Sequence, residues 1–377
     1  MKHQCTLPAR AFSLIVGTIR RRLDLSVQMC DARSVVGLGA EVERLAHWHR
    51  VLGFVATDPL ADLLPTIPGG RSAIAEWTAA AGLLEVANVL ARLHSANIPA
   101  IPLKGPLLGV RLHGNTTVRS AHDTDLLVPL ERIDDAIAAL APEYCPVGWS
   151  RRTRQSCEHH ERLRSLTTGR PVELHWQLLN PQTGCRIGHG DAWVDARPLV
   201  VAGIPHLGLA TSVEAVFVAV HAAHHFGYRL HWLADVAALT QRLDENEWRV
   251  ALELATRWRV RRAMLTGIDA AARVIGMPLP AVLADAVRRG SAHGVAEFIA
   301  SRLADGFTAV LPTFRQWPHR LNLLDDWHTR LRVTTLLAFT LIPEDRAATR
   351  LPAWADPLTA ALRPLLAMRR AWDAPRP

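Results

Sequence analysis

The apolar positions change their period along the chain, and those changes predict its elements. Residues 36 to 95 read as helices. Ala75 to Leu93 is rich in Ala, Leu and Glu, and Leu83, Leu84, Val86, Val89, Leu90 and Leu93 give it a wide apolar face. Pro68-Gly69-Gly70 breaks the chain before it. From Ile98 the character changes. Ile98 to Leu103 reads as a buried strand running into a turn at Lys104-Gly105. Pro106 to Leu112 reads as a short helix, because proline suits the first helical turn. A polar loop follows, His113 to His122. Asp123 to Val128 then reads as a second strand closed by Pro129, and Glu131 to Leu140 as an amphipathic helix ending at Pro142. Leu163 to Leu166 and Val172 to Leu178, joined through Thr167-Thr168-Gly169-Arg170, form an expected β-hairpin. Another is expected between Pro198 and Leu209, turning near Gly203. From Thr211 almost to the end the pattern is helical, with Thr211 and Glu214 spaced as a capping box. The predicted fold is α+β: an N-terminal helical region over 1–95, a small mixed core over 96–210 and a helical domain over 211–377.

Composition narrows the class. The chain has 377 residues, of which 49% are hydrophobic, so a large core is available and global disorder is excluded. No run reaches the ~18 apolar residues of a membrane span. The longest candidates, such as Leu336 to Ile342, have buried-core length. The apolar run Ala11 to Ile19 precedes Arg20, Arg21 and Arg22 without a cleavage site, so no signal peptide is expected. Cysteines at 5, 30, 145, 157 and 185 form no C-x-x-C pair and point to reduced thiols in a cytoplasmic protein. The net charge of +8 would attract nucleic acid, nucleotides or phosphate esters. Yet no basic block is long enough for a nucleic-acid arm, and aromatics are not interleaved with the arginines. Only Lys2 and Lys104 among the 43 basic residues are lysine. An internal lysine in such a chain marks a place where a compact ammonium fits and a planar guanidinium does not, unless it survives by chance.

The chemistry centres on Asp123-Thr124-Asp125. In a strand alternate side chains share a face, so Asp123 and Asp125 point one way and Thr124, Leu126 and Val128 the other. Two close carboxylates repel unless a cation joins them, and oxygen ligands favour Mg²⁺ or Mn²⁺. The bland alternative is a solvated strand end. Val172 to Leu178 alternates as well, with Glu173, His175 and Gln177 on one face. If the strands are neighbours, Glu173 joins the aspartates, and three carboxylates can hold two ions for a phosphoryl displacement. Glycine in the Lys104-Gly105 turn lets backbone amides approach a phosphate at a helix N-terminus. Arg119 either neutralises triphosphate charge or pairs with an acid. His221, His224 and His225 fall on one helical face, with Asp235 further on. They are expected to line the cleft or to bond between helices; zinc ligation is the third option, without the usual general-base glutamate.

These motifs carry a resemblance. I-P-L-K-G-P-L-L (101–108), V-R-S-A-H-D-T-D-L-L-V (118–128) and V-E-L-H-W (172–176) resemble a bacterial family of uncharacterised nucleotidyltransferases in the DNA polymerase beta superfamily. H-A-A-H-H-F-G-Y-R-L-H-W-L-A-D-V (221–236) and L-I-P-E-D-R (341–346), with a basic helix near Arg369 and Arg370, extend the likeness over about residues 36 to 373. The resemblance implies a polymerase-beta-like core, a mixed sheet with flanking helices, embedded in a mostly helical chain. It implies Mg²⁺ (or Mn²⁺) bound by Asp123, Asp125 and Glu173 as the catalytic residues. Lys104, Gly105, Arg119, Ser120 and His175 are the candidate nucleotide-binding residues. The wider superfamily carries Gly-Ser after its first strand, whereas this chain has Gly105-Pro106 preceded by Lys104. The implied activity moves a nucleoside monophosphate from a nucleoside triphosphate, ATP being the expected donor, to a hydroxyl-bearing acceptor. The acceptor is a small molecule, a peptide or protein side chain, or RNA; no membrane partner is expected. Two rivals are a non-catalytic nucleotide-binding protein, which retention of all three acids argues against, and a nucleic-acid-binding module, favoured only by charge.

Overall fold

Five short strands form one mixed sheet, and most of the remaining chain is helical. The computed structural model describes residues 6–26, 37–58, 61, 69–119, 123–147, 159–306, 308, 310, 313–341 and 343–373. The strands are β1 (Ile101–Pro102), β2 (Thr124–Leu127), β3 (Tyr144–Pro146), β4 (His160–Ser165) and β5 (Pro171–His175), in spatial order β1-β2-β5-β4-β3. β2 and β5 run parallel; the other neighbours are antiparallel. A separate hairpin, β6 (Arg197–Val201) and β7 (Ile204–Gly208), turns through Ala202 and Gly203, both at positive φ. The fold is therefore α+β.

Alternation decides what the sheet buries. Leu126 of β2, Leu163 of β4 and Val172 and Leu174 of β5 face one side and are fully buried. Two helices cover them: α4 (Gly69–Ser95) with Val86, Val89, Leu90 and Leu93, and α6 (Ile133–Leu140) with Ile133, Ala136 and Leu140. Each such side chain contributes about 1.5–3 kcal/mol on leaving water. Between β1 and β2 the chain forms α5 (Gly105–His113), which ends at Gly114 in the left-handed conformation that glycine adopts freely.

A second, larger core joins the N-terminal helices to those that follow the hairpin. α1 (Leu7–Arg22), α2 (Gly39–Trp48) and α3 (Leu52–Ala56) pack with α7 (Thr211–His224), α8 (Leu230–Arg242), α9 (Glu245–Arg257), α10 (Arg261–Ile275), α11 (Ala281–Gly290) and α12 (His293–Ala304). The apolar run at Ala11 to Ile19 is thus a core-facing helix stripe, with Ala11, Ile15 and Ile19 fully buried. α13 (Thr313–Asn322), α14 (Trp327–Phe339), α15 (Pro343–Thr349) and α16 (Asp356–Asp373) complete the chain.

One strand left no signal, and one expectation needs correction. β3 gave no period-two signal, because three residues ending in Pro146 are too few to alternate. The capping box at Thr211 does not form: the cap position is Ala210, without a side-chain cap bond. Thr211 instead accepts from Arg197 at 2.8 Å, and Glu214 pairs with Arg111. Tertiary partners took both side chains.

One buried ion pair ties α5 to α8. Arg119 Nε donates to Asp235 Oδ2 at 2.7 Å and Nη1 to the Gly105 carbonyl at 3.1 Å. His113 Nε2 lies 2.9 Å from Asp235 Oδ1. Burial pushes the Asp235 carboxyl up, but the Arg119 charge and the His113 hydrogen bond outweigh it and lower it to about 2.

Two stability predictions follow from this packing. Asp235→Asn strands the Arg119 guanidinium and should cost about 3–5 kcal/mol in urea unfolding at neutral pH. Because the folded pKa is lowered, this stabilisation is present above the ordinary carboxylate range and lost as pH falls towards about 2. The variant and the wild type should therefore converge in acid; an equal gap at pH 7 and in acid would remove the ion pair as its cause. The second concerns α7 against α10. A methyl group on Gly267 would lie 2.1 Å from the Ala219 carbonyl oxygen. Helix propensity favours alanine by about 1 kcal/mol, but overpacking against backbone costs about 1–3 kcal/mol or more. Gly267→Ala should therefore lower the melting temperature, and a rise would show that the helices can separate freely.

Candidate active site

Strand pairing assembles one polar cluster on the sheet face opposite α4 and α6. The parallel register sets Asp125 beside Glu173 and Leu127 beside His175. The antiparallel register sets Arg162 opposite Glu173 and His160 opposite His175. With a period of two, Asp125, Glu173, His175, His160 and Arg162 all share this face. Ligand atoms of Asp125, Glu173 and His175 lie within 4.8 Å of one another, as do those of His159, His160 and His175. Among the described residues these are the two groups that converge in this way. Asp123 is not in either. It occupies a bend one residue before β2, half-buried, where its charge acts on Arg50. The strand alternation expected to pair Asp123 with Asp125 stops short of it.

The cluster is held by charge. Asp125 is 2% exposed. Its Oδ2 meets Lys104 Nζ at 3.2 Å and its Oδ1 meets His175 Nε2 at 3.1 Å. Burial works to raise its pKa, but Lys104 and His175 prevail and hold it far below the usual carboxylate range. Burial likewise acts to lower His175, and Asp125 and Glu173 reverse this, so its pKa is raised. Glu173 receives Arg162 Nε at 3.2 Å and lies 3.6 Å from His175 Nε2 and 3.8 Å from His160 Nε2. Burial raises Glu173, but the His175 hydrogen bond and its neighbours leave it lowered.

Lys104 comes from the turn after β1. Gly105 follows it at φ +81°, a conformation open to glycine at little cost, and opens α5. The ammonium points to Asp125 and also lies 6.0 Å from the Phe217 ring centre on α7.

The cluster opens into a cavity of about 630 Å³ between the sheet face and α7, α8 and α13. Arg50, Lys104, Arg162, Arg229 and Arg320 around it outnumber Asp123, Asp125 and Glu173. A depression of equal volume near Asn88, Arg92 and Glu143 is more open and has no converging ligand group. On the wall opposite the sheet, His221, His224 and His225 line the cavity. The His221 and His225 ring centres are 4.3 Å apart, and His225 lies 4.5 Å from Trp232. Both ring nitrogens of His224 are buried without a hydrogen-bond partner. Burial, aided by Arg320, lowers its pKa to about 3, so it offers a neutral ring at pH 7. The three histidines do not form a converging ligand group, so their helical spacing does not translate into a zinc site among the described residues.

Of the other residues singled out, Arg119 touches the cavity wall, but its guanidinium is committed to Asp235 and Gly105. Asp235 is not among the cavity-lining residues and takes the second expected course, bonding between elements as the partner of Arg119 and His113. Long-range pairing thus realises the alternative of a protein partner for both charges. Ser120 lies outside the described residues. His159, His160 and Arg162 were missed, although His160-Glu161-Arg162-Leu163 carries the strand alternation that would have placed them. Arg50, Phe217 and Trp232 reach the cavity from distant elements and left no local signal.

No helix among the described residues is long and apolar enough to cross a membrane. Comparison with curated proteins and with solved structures yields no match. A model of the family described as uncharacterised nucleotidyltransferases matches residues 40–276, a span that contains the three strands of the cluster, Lys104 and the α7 histidines. That span is more than half of the chain, and the chain belongs to this family of nucleotidyltransferases.

Proposed function

We propose that the cavity catalyses transfer of a nucleoside monophosphate from a nucleoside triphosphate to a hydroxyl-bearing acceptor. The observation that carries this reading is the parallel register of β2 and β5, which seats Asp125 beside Glu173 under a cation-rich cavity. The cavity is large enough for a nucleotide, within the usual range of small-molecule sites. Family membership supports the reaction class; the polymerase-beta-like core and the donor ATP are part of the proposal.

The donor set fits a divalent cation. Two carboxylates and an imidazole present ligand atoms within 4.8 Å, and Lys104 and His175 lie against the Asp125 carboxylate. Asp125 and Glu173 would hold the ion, with Asp123 reaching in from the rim; when bound, it would neutralise charge building on the transferred phosphoryl group. The protein's own groups do the rest. Lys104, Arg50, Arg162, Arg229 and Arg320 surround the phosphates and offset their charge in a site partly shielded from water. His225 and Trp232 offer ring faces on which a nucleobase can stack. The acceptor hydroxyl oxygen attacks the α-phosphorus and its proton passes to solvent; a new P–O bond forms, the bond from the α-phosphorus to the bridging oxygen breaks, and pyrophosphate leaves. Holding the two reactants in line supplies much of the acceleration. Asp125, held well below the usual range, is a weak base and serves as a fixed negative charge.

The direct test is incubation of the pure protein with each α-labelled triphosphate, Mg²⁺ or Mn²⁺, and a cell extract. The expected result is label on one acceptor with equimolar pyrophosphate. Tight nucleotide binding with no labelled product from any extract would instead support a non-catalytic nucleotide binder.

Asp123→Asn, Asp125→Asn and Glu173→Gln should each lower transfer at least about a hundredfold. Thermal unfolding run alongside separates lost chemistry from lost fold, and full activity in a folded variant would remove that acid from the site. Lys104→Arg keeps the charge but exchanges a compact ammonium for a planar fork. It should weaken ATP binding about tenfold, roughly one charged contact. Unchanged affinity by calorimetry would mean that Lys104 serves only Asp125.

A further inference from the structure

We propose that the cluster on the sheet face is a mixed nitrogen–oxygen metal site, with His175 as a ligand beside Asp125 and Glu173, that takes Mn²⁺ in preference to Mg²⁺. The inference rests on the nucleotidyl-transfer reading above and changes what its centre is made of. An all-carboxylate site would need Asp123, Asp125 and Glu173 together. The structure brings together Asp125, Glu173 and His175 instead.

Three observations support the imidazole. Its Nε2 is directed at both acids, 3.1 Å from Asp125 Oδ1 and 3.6 Å from Glu173 Oε2. An ion coordinated by both carboxylates in that gap would meet this nitrogen. The position is fixed by backbone pairing: Glu173 and His175 are two residues apart on β5, and β2 pins Asp125 beside them. Finally, His175 is 4% exposed, and its Nδ1 is buried with no hydrogen-bond partner. A buried imidazole with an unpartnered nitrogen costs free energy unless its position is needed.

A second group reinforces the nitrogen character. His159 and His160 set their rings 5.1 Å from the His175 ring, and one ligand atom from each of the three lies within 4.8 Å of the others. His160 Nε2 also lies 3.8 Å from Glu173 Oε1. His175 belongs to both groups, so an ion moving between them keeps it as a ligand. Mg²⁺ prefers oxygen and strict octahedral geometry with retained waters. Imidazole suits transition ions, and Mn²⁺ accepts both carboxylate and imidazole. The same set admits Zn²⁺ or Co²⁺, but two carboxylates and the phosphate oxygens of a bound nucleotide weight it towards Mn²⁺.

The test uses the full-length protein and Mn²⁺ alone, then with ATP. Electron paramagnetic resonance counts bound Mn²⁺, and pulsed measurements detect coupling to an imidazole ¹⁴N. The expected result is ¹⁴N coupling in the wild type, and Mn²⁺ affinity at least about tenfold above that for Mg²⁺. His175→Ala should abolish the coupling and weaken Mn²⁺ about tenfold, leaving Mg²⁺ affinity within about a factor of two. Should that variant fail to fold, the wild-type spectrum still decides. Bound Mn²⁺ without ¹⁴N coupling, or its displacement by equimolar Mg²⁺, overturns the inference and leaves nucleotidyl transfer standing on oxygen ligands. If neither ion binds, with or without ATP, both this inference and the proposed function fall.

Discussion

A carboxylate buried in the middle of a sheet is stable as an anion only if cations surround it, and Asp125 is such a group. Desolvation of a lone ion costs several kcal/mol even after relaxation. Asp125 escapes that cost because its strand is flanked by two suppliers of positive charge. β1 leads into the turn that carries Lys104, and β5 ends on His175. The order β1-β2-β5 is therefore an electrostatic arrangement as well as a hydrogen-bonded one. The proposed metal follows from the same balance. Asp125 and Glu173 bring negative charge into one gap, and Lys104 and His175 meet it there. A divalent cation can take over that neutralisation, freeing Lys104 for a phosphate and the imidazole nitrogen for the ion.

The cavity exists because two cores meet there without merging. One lies behind the sheet under α4 and α6; the other binds α1–α3 to α7–α12. The sheet's polar face turns towards the second core, and the charged cluster cannot be packed dry against it. What bridges the gap must satisfy polar groups on both sides. On the far side α7 supplies His224 with both ring nitrogens unpartnered. Arg119, Asp235 and His113 fix the distance between the walls by tying α5 to α8. A site at such a junction is pre-formed yet open, the usual location for a ligand.

The sequence made the faces legible and left the neighbours hidden. Period-two alternation placed Glu173 and His175 on one face of β5, and the change of period at Ile98 and Thr211 located the mixed core. The family resemblance predicted the reaction class. Register was beyond reach: nothing local says that β5 lies parallel to β2, or that His160 faces His175. Asp123 falls one residue short of the strand for a related reason, since where a strand begins depends on partners and not on composition. Arg119 and Asp235 lie 116 positions apart. The sequence left each open to a ligand or to a protein partner, and the tertiary fold pairs them with each other. The same competition removed the cap at Thr211.

Lys104 shows how composition and geometry join into one argument. In a chain that otherwise relies on arginine, its ammonium sits 3.2 Å from a buried carboxylate, with an aromatic ring 6.0 Å away. A guanidinium placed there would bind Asp125 through two parallel hydrogen bonds, and such a fork is slow to let go. An ammonium makes a single contact from a four-carbon stem and can rotate from the carboxylate to an incoming phosphate without breaking a bidentate lock. The proposed reaction needs that exchange at every turnover, because Lys104 would leave Asp125 for the phosphates of each incoming nucleotide. Lysine at 104 is thus the residue expected where a charge has to be both held and released.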